Sequence, residues 1–388
     1  MASMTPFHAT QTLGGQDRLA RIGRARQAVL YGEARPADAA QALEGWIERS
    51  WRRCLAEGQR PEQAPSFDIV PAAEMRRHQD ANHQLVQAAK PTLERLGRAI
   101  ADTRYFAILT NQAGVVVDVN GRIDRSDSRA DVITRIGTDL SEIRVGTTAI
   151  GAALSELQPV WLHRGEHFFD ATSVYSCAGA PLLGPDGHCA GMLDLTGIEA
   201  AERPELTHLV TQCARSIENA LTLGRPHALL IRLNWPGRVL GDESDGLLCV
   251  DADGCVTGAN PVARQMISGL STTAGSMPHC GELFAMPFEM LFDAAQRRGN
   301  AQGGVLEVPL WSGLRLYALP LLAGRDAAPP AALQLPPPGD SARPLKELET
   351  ALIRKAVNDA RGNVLQAAKA LGVSRATVYR RLGPGKRG

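Results

Sequence analysis

Residues 362–388 carry six cationic side chains, Lys369, Arg375, Arg380, Arg381, Lys386 and Arg387, and no Asp or Glu, in a chain whose net charge is only +1. A cationic excess confined to one short segment is the electrostatic footprint of nucleic-acid binding. The order of residues in GNVLQAAKALGVSRATVYRRL sharpens this. Gly362 is suited to stop one helix, Asn363 to cap the next, and Ser374 to cap a third. Gly372 supplies the turn between the last two. Ala368, Gly372 and Val378 give a small residue, a turn residue and an apolar residue where two short helices must cross closely. The last helix then presents Arg375, Thr377, Arg380 and Arg381, side chains that read guanine edges, thymine methyls and phosphates. The candidate DNA-contacting set is Asn363, Ser374, Arg375, Thr377, Tyr379, Arg380 and Arg381.

A second group of reactive residue types lies upstream. HRGEHF sets His163 and His167 four apart around Glu166, and Cys177 follows ten residues on. On a helix that His spacing suits a metal. PVWLHRGEHF reads instead as a strand running into a loop, with no second ligand cluster beside it. Loop ordering, contact with a small ligand and metal binding all stay open. Tyr175 and Cys177 alternate along one strand and share a face; Asp194 flanks the same region. Cys177 and Cys189 stand in apolar runs, whereas a reactive thiol needs a cationic, partly exposed setting. His188 beside Cys189 is the one hint of that, so buried inert thiols are expected. Asp186, Asp251 and Asp253 belong to GPDG and DADG, which are turn sequences.

These residues need scaffolding. AQALEGWIERSWRRCLAEG places Leu43, Trp46, Ile47, Trp51 and Leu55 on one apolar helical stripe. A long helix is predicted from about Pro71 to Ala101. YFAILTNQAGVVVDV reads as a hairpin, NGRIDRSDSRAD as a polar loop, and YSCAGAPLLGPDGHCAGMLDLTG as a second hairpin. PELTHLVTQCARSIENALTL closes the unit as an amphipathic helix. GLLCVDADGCVTGANPVARQMI restarts with strand, turn, strand and helix, then a helix around Glu282 to Arg298 and the strand pair GGVLEVPL and LRLYALPLL. The predicted organisation is a helical region at 1–70, an α+β sensor at 71–225, a smaller α+β unit at 228–324, a Pro/Ala-rich linker at 325–344 and an all-α segment at 345–388.

A chain of 388 residues with 44% hydrophobic and 21% charged residues fits several globular domains. Seven Cys, with no CxxC pair, argue against a disulfide framework or a zinc finger. No secretory leader and no run of 18 apolar residues is seen, so a cytoplasmic protein without a membrane partner is expected.

The C-terminal stretch resembles the DNA-binding domain of the Fis family over about 40 residues. That resemblance implies groove contacts from Arg375, Thr377 and Arg380, phosphate contact at Asn363, and dimerisation through the helix from Leu345 to Ala360. Residues from about 40 to 225 resemble the GAF-type sensor region of acetoin-catabolism regulators of the sigma-54 activator class. The resemblance rests on G-T-x-A-I-G (Gly146 to Gly151), E-H-F (Glu166 to Phe168) and C-x-x-A-P (Cys177 to Pro181). The unit at 228–324 resembles a PAS domain. GAF domains cup a small ligand between an antiparallel sheet and loops, which implies Thr147, His167, Phe168, Tyr175, Cys177 and Asp194 as ligand contacts. Full-length members of that class carry an AAA+ ATPase between sensor and Fis domain, but neither GxxxxGK[ST] nor GAFTGA occurs here.

The expected fold is α+β and multidomain: GAF-type and PAS-like antiparallel-sheet sensors followed by an all-α helix-turn-helix. The expected function is a ligand-responsive transcription regulator that binds double-stranded DNA as a homodimer without ATPase activity, with RNA polymerase as a further partner. No catalytic residue, metal or cofactor is expected beyond an unidentified small-molecule effector. A GAF-based redox enzyme or thiol sensor, and an architectural DNA binder with non-sensing dimerisation domains, are the competing readings.

Overall fold

The computed structural model describes residues 8–32, 43–270, 277–297 and 305–323, with single positions at Val364, Ala368 and Val378. The chain divides into two compact units, Met1–Pro330 and Ala331–Gly388.

The first unit opens with three helices, α1 (His8–Leu30), α2 (Gly45–Ala56) and α3 (Ala72–Ala99). The stripe predicted on α2 is buried at Trp46, Ile47 and Trp51, with Leu43 and Leu55 packed at its edge. Strands β1 (Tyr105–Asn111) and β2 (Val116–Asn120) form the first hairpin. The segment read as a polar loop contains α4 (Ser128–Ile133): Asp127 accepts from the Arg129 backbone N–H and caps it. Two further short helices, α5 (Glu142–Val145) and α6 (Ala149–Glu156), precede β3 (Val160–His163), β4 (Tyr175–Leu183) and β5 (Cys189–Ile198). The sheet is antiparallel with order β2-β1-β5-β4-β3. Helix α7 (Leu206–Leu223) follows.

All of β1 is buried, so both faces of this sheet are covered. Tyr105, Ala107 and Leu109 face α3 and α7, which supply Leu93, Leu96, Val210 and Ile217. Phe106 and Ile108 face the other way, toward α2, α6 and the loops. Helix α6 can lie close on β4 because of Gly179, where a Cβ would come within 2.6 Å of the Met192 methyl and 3.1 Å of the Ala149 carbonyl.

The second sheet starts with β6 (Leu229–Asn234), a strand the sequence reading did not identify; one face is Leu229, Ile231 and Leu233, the other Leu230, Arg232 and Asn234. With β7 (Gly246–Val250), β8 (Val256–Ala259), β9 (Leu306–Pro309) and β10 (Arg315–Leu322) it makes an antiparallel sheet of order β8-β7-β6-β10-β9. Helix α8 (Pro261–Met266), which carries Arg264, follows β8 and belongs with the second sheet's layer. The single helix expected around Glu282 to Arg298 is two, α9 (Cys280–Leu283) and α10 (Glu289–Arg297), parted at Pro287. Proline disfavours helix at the residue before it, and the intervening Ala285 donates its N–H to the Pro309 carbonyl instead.

The two sheets of this unit meet through α7 and the β4–β5 hairpin. Thr222 of α7 accepts from the Cys249 thiol of β7 (3.3 Å), and the Pro185 carbonyl at the hairpin tip accepts from Ala259 N (2.8 Å) and the Arg264 guanidinium (2.8 Å). Gly187 permits that approach: its φ is +88°, and a Cβ there would sit 2.9 Å from the guanidinium carbon of Arg264. In the second unit Val364, Ala368 and Val378 are helical, and Ala368 and Val378 are buried. The linker at 325–344 lies outside the described residues.

Candidate functional site

On the face of the first sheet away from α3 and α7 lies a small cavity of about 30 Å³. Its apolar wall is Phe67, Ile108, Ile133, Leu140, Val145, Ala149 and Ile150. Its polar wall is His167, Thr172, Tyr175, Cys177, Asp194 and Thr196, with Thr148 at the start of α6.

Asp194 sits mid-way along β5, the central strand, paired with Ile108 on one side and Gly179 on the other. Its side chain has no exposure. The Thr196 hydroxyl donates to Oδ2, and Oδ1 has no hydrogen-bond partner among the described residues. Burial pushes this carboxyl up to about 7, so near neutral pH it holds its proton far more readily than an aqueous aspartic acid. Burying a carboxyl with one oxygen unpaired costs free energy that the single Thr196 hydrogen bond offsets only in part.

His167 shares the wall and is also fully buried. Its Nδ1 lies 2.9 Å from the Arg164 carbonyl. A carbonyl only accepts, so Nδ1 carries the proton and Nε2 is a bare acceptor. Nε2 has no partner among the described residues. Burial pushes the ring down to about 4, which keeps it neutral.

The loop that holds His167 is fixed from outside by α1 and α2. Arg26 donates to the carbonyls of Gly165 (3.0 Å), His167 (2.5 Å) and Phe168 (3.0 Å) and to Asp170 (2.6 Å), and its guanidinium stacks over Trp51. The Trp51 indole N–H donates to the Glu166 carbonyl at 3.0 Å. Arg18 pairs with the Glu166 carboxylate at 2.8 Å, and that carboxylate accepts from His163 N at 2.7 Å. His163 itself bonds Ser176 at 2.8 Å. In HRGEHF, then, His163 and Glu166 order the loop, while His167 turns inward. No group of three or more His, Cys, Asp or Glu able to hold a metal occurs among the described residues.

Of the six residues expected to meet a ligand, the structure brings His167, Tyr175, Cys177 and Asp194 to one cavity. The Tyr175 hydroxyl is committed to the Arg129 carbonyl (3.1 Å), so its ring is what lines the wall. Cys177 bonds Thr196 at 3.3 Å, and burial raises its thiol well above the ordinary value. Thr147 and Phe168 do not line the cavity. Thr147 faces α2, 2.7 Å from the Ser50 hydroxyl, and Phe168 is core packed edge-on against Phe169. Thr148, Ala149 and Ile150, from the same G-T-x-A-I-G element, line it instead. Because strands alternate, the pattern that singles out Cys177 and Asp194 could also have indicated Thr196. Arg18, Arg26 and Trp51 had no such signal: they lie more than 110 residues away in sequence from the loop they hold. Asn363, Ser374, Arg375, Thr377, Tyr379, Arg380 and Arg381 lie outside the described residues.

Residues 21–219 match the family described as MimR, N-terminal domain, and residues 344–383 match the Bacterial regulatory protein, Fis family. The acetoin catabolism regulatory protein of Cupriavidus necator is 31% identical over 261 residues, covering 64% of this chain and 37% of its own length. The acetoin dehydrogenase operon transcriptional activator of Bacillus subtilis is 27% identical, covering 57% and 36%. The chain thus spans little more than a third of the length of either relative. Among solved structures, the Escherichia coli DhaR(N)–DhaL complex is 14% identical, with a TM-score of 0.44, over 72% of this chain and 99% of that one. Among the described residues no helix is long and apolar enough to cross a membrane.

Proposed function

The chain belongs to the MimR N-terminal-domain family and ends in a Fis-family helix-turn-helix, and from that premise we propose that it is a cytoplasmic, ligand-responsive transcription regulator rather than an enzyme. The observation that carries this reading is the cavity of the first sheet, where His167 Nε2 and Asp194 Oδ1 are buried with no partner among the described residues, on a chain whose C-terminal segment has the residues of a DNA reader.

A small molecule that satisfies those two atoms binds one conformation better than another and shifts the population toward it. The cavity wall formed by β4 and β5 continues into the hairpin tip that the second sheet grips through Ala259 and Arg264. Helix α7 touches β4, β5 and β7. These are the rigid elements available to carry a change at the cavity to the rest of the chain, and in a homodimer the output is the spacing of two recognition helices. With no phosphate-binding loop in the sequence, the regulator acts by occupancy of its operator, as a repressor or as a recruiter of RNA polymerase, not by ATP-driven remodelling. A GAF-based thiol chemistry is disfavoured by the raised, buried Cys177 thiol, beside which no Lys or Arg lines the cavity among the described residues.

The test is a gel shift with DNA from upstream of its own gene. Binding is expected at low salt, with affinity falling steeply as salt rises. Arg380→Ala and Arg375→Ala are each expected to weaken specific binding by about 1–3 kcal/mol. Absence of binding at low salt, by the full chain and by residues 345–388, rejects the reading.

A further inference from the structure

The second sheet carries an open cleft that the regulatory reading does not use. It lies where β6 ends and β9 turns into β10, with the end of α8 and α9 as further walls, and its volume is about 410 Å³. It shares no residue with the first-sheet cavity. Two tryptophans line it, Trp235 at 38% exposure and Trp311 at 69%. Met266, Leu310 and Leu314 extend the apolar surface. Single exposed apolar side chains are ordinary on a protein surface, whereas two exposed indoles in one concavity mark a place where something binds.

Both tryptophans are tied to the fold. The Trp311 indole N–H donates to the Gly281 carbonyl of α9 at 3.1 Å. Its turn is closed by Leu310 N donating to the Leu314 carbonyl (2.8 Å) and Gly313 N to the Leu310 carbonyl (2.9 Å), with Gly313 at φ +85°. The Trp235 backbone N–H donates to Asn234 Oδ1 at 2.9 Å, and Asn234 donates in turn to the buried Asp245 at 3.2 Å. Groups ordered before a ligand arrives lose little freedom when it binds. With its N–H spent on Gly281, Trp311 has only the electron-rich face of its ring to offer a ligand.

Charge narrows the class of ligand. Glu282 is the one ionisable side chain lining the cleft among the described residues. It is exposed, its Oε1 accepts a long bond from His279 N (3.4 Å), and its Oε2 has no hydrogen-bond partner among the described residues. A carboxylate beside indole faces attracts a cation and repels an anion. The apolar remainder of the wall decides which cation. A primary ammonium brings three N–H donors and tightly held water, and leucine and methionine side chains replace neither. An alkylated ammonium has no N–H to satisfy and presents its charge through methyl groups that pack on indole and leucine alike.

We propose that this cleft is a second ligand site and binds a quaternary ammonium on a short chain, its head held by Trp235, Trp311 and Glu282. The site does not rest on the regulatory reading, and it stands or falls whatever the gel shift shows.

The test titrates the full chain with three probes of one shape, choline, 3,3-dimethylbutan-1-ol and 3,3-dimethylbutanoate, with binding followed by ligand-observed NMR. Choline and the alcohol differ only in a charged nitrogen for a carbon. Choline is expected to bind about tenfold more tightly than the alcohol, and the carboxylate not to bind. Trp311→Leu keeps apolar bulk and removes the indole, so choline should weaken about fivefold while the alcohol hardly changes. Glu282→Gln should weaken choline by a similar factor. It keeps the side-chain acceptor that bonds His279 N, so it serves where Trp311→Leu fails to fold. Equal binding of choline and the alcohol, no binding of choline, or parental affinity in both variants overturns the proposal. So does acrylamide quenching of tryptophan fluorescence that falls as protein concentration rises, since a second copy of the chain then covers the cleft.

Discussion

Asp194 and Asp245 are both fully buried aspartates, one in each sheet domain of the first unit, and they are held in opposite ways. Asp245 uses both oxygens: Oδ2 accepts from Arg232 (3.1 Å) and Gly241 N (2.7 Å), and Oδ1 accepts from Asn234 (3.2 Å). Beside it, Asn260 uses all four side-chain hydrogen-bonding positions. Its Oδ1 accepts from Leu247 N and Ala263 N, and its Nδ2 donates to the Asp245 carbonyl and to Asn219 of α7. Asp194 has one satisfied oxygen and His167 one satisfied nitrogen, and the other atom of each has no partner among the described residues, beside a cavity. Buried polar groups are normally satisfied, and those that are not call for an explanation in function. The contrast teaches that Asp245 and Asn260 spend their side-chain oxygens and amide on fixing the second sheet and its junction with α7, while Asp194 and His167 on the cavity wall each keep one atom without a partner among the described residues.

The largest effect that sharpens this contrast is expected at Asn260. Asn260→Leu strands two backbone N–H groups, a carbonyl and the Asn219 amide, so about 3–4 kcal/mol of stability should be lost in urea unfolding. A loss below about 1 kcal/mol would break the claim that this network is structural.

Next is Arg26→Ala, which removes four charge-assisted bonds from the loop and the stacking over Trp51. About 2 kcal/mol of destabilisation is expected, with faster hydrogen exchange confined to residues around 164–170. Uniform exchange across the domain would show that the loop is not held from outside.

Asp194→Asn comes third and goes the other way. The folded carboxyl titrates at about 7, above its ordinary value of 3.8. The folded state therefore binds the extra proton between those values, and its contribution to stability, full below about 4, is lost as pH rises through about 7. Glu218 of α7, also raised to about 7 by burial, adds a second slope of the same sign. Asp194→Asn should flatten the decline in Tm between about pH 5 and 8, leaving the part due to Glu218, and at about pH 8 it should be more stable than the parent. An unchanged pH profile would refute the buried, unpaired state of Asp194. Smallest is Arg122→Ala, which breaks an exposed 3.4 Å pair with Asp102 and should change stability by no more than about 0.5 kcal/mol.

Much of this fold is legible in the chain itself. Gly-rich turns at NQAG, GPDG and DADG mark three hairpins because only glycine enters the left-handed region without strain. The α2 stripe follows from 3.6-residue periodicity. Strand β6 escapes that reading, since its alternation of Ile231 and Leu233 with Arg232 and Asn234 spans too few residues after the Leu229–Leu230 pair to stand out. The break at Pro287 and the cap at Asp127 were written in local chemistry, and both were masked by apolar or polar runs spanning them.

What the sequence determined by itself is local: which segments are helix or strand, where they turn, that Tyr175 and Cys177 share a face, and that the C-terminal segment gathers cations without acids. Those properties depend on neighbours within a few residues. Tertiary structure alone decided that His167 and Asp194 face one cavity, that Thr147 turns to α2 instead, and that two arginines more than 130 residues upstream hold the loop carrying His167. The physical reason is that satisfaction of a hydrogen-bonding group is a property of everything packed around it. A sequence states which donors and acceptors exist, and only the folded chain states which of them are left without a partner.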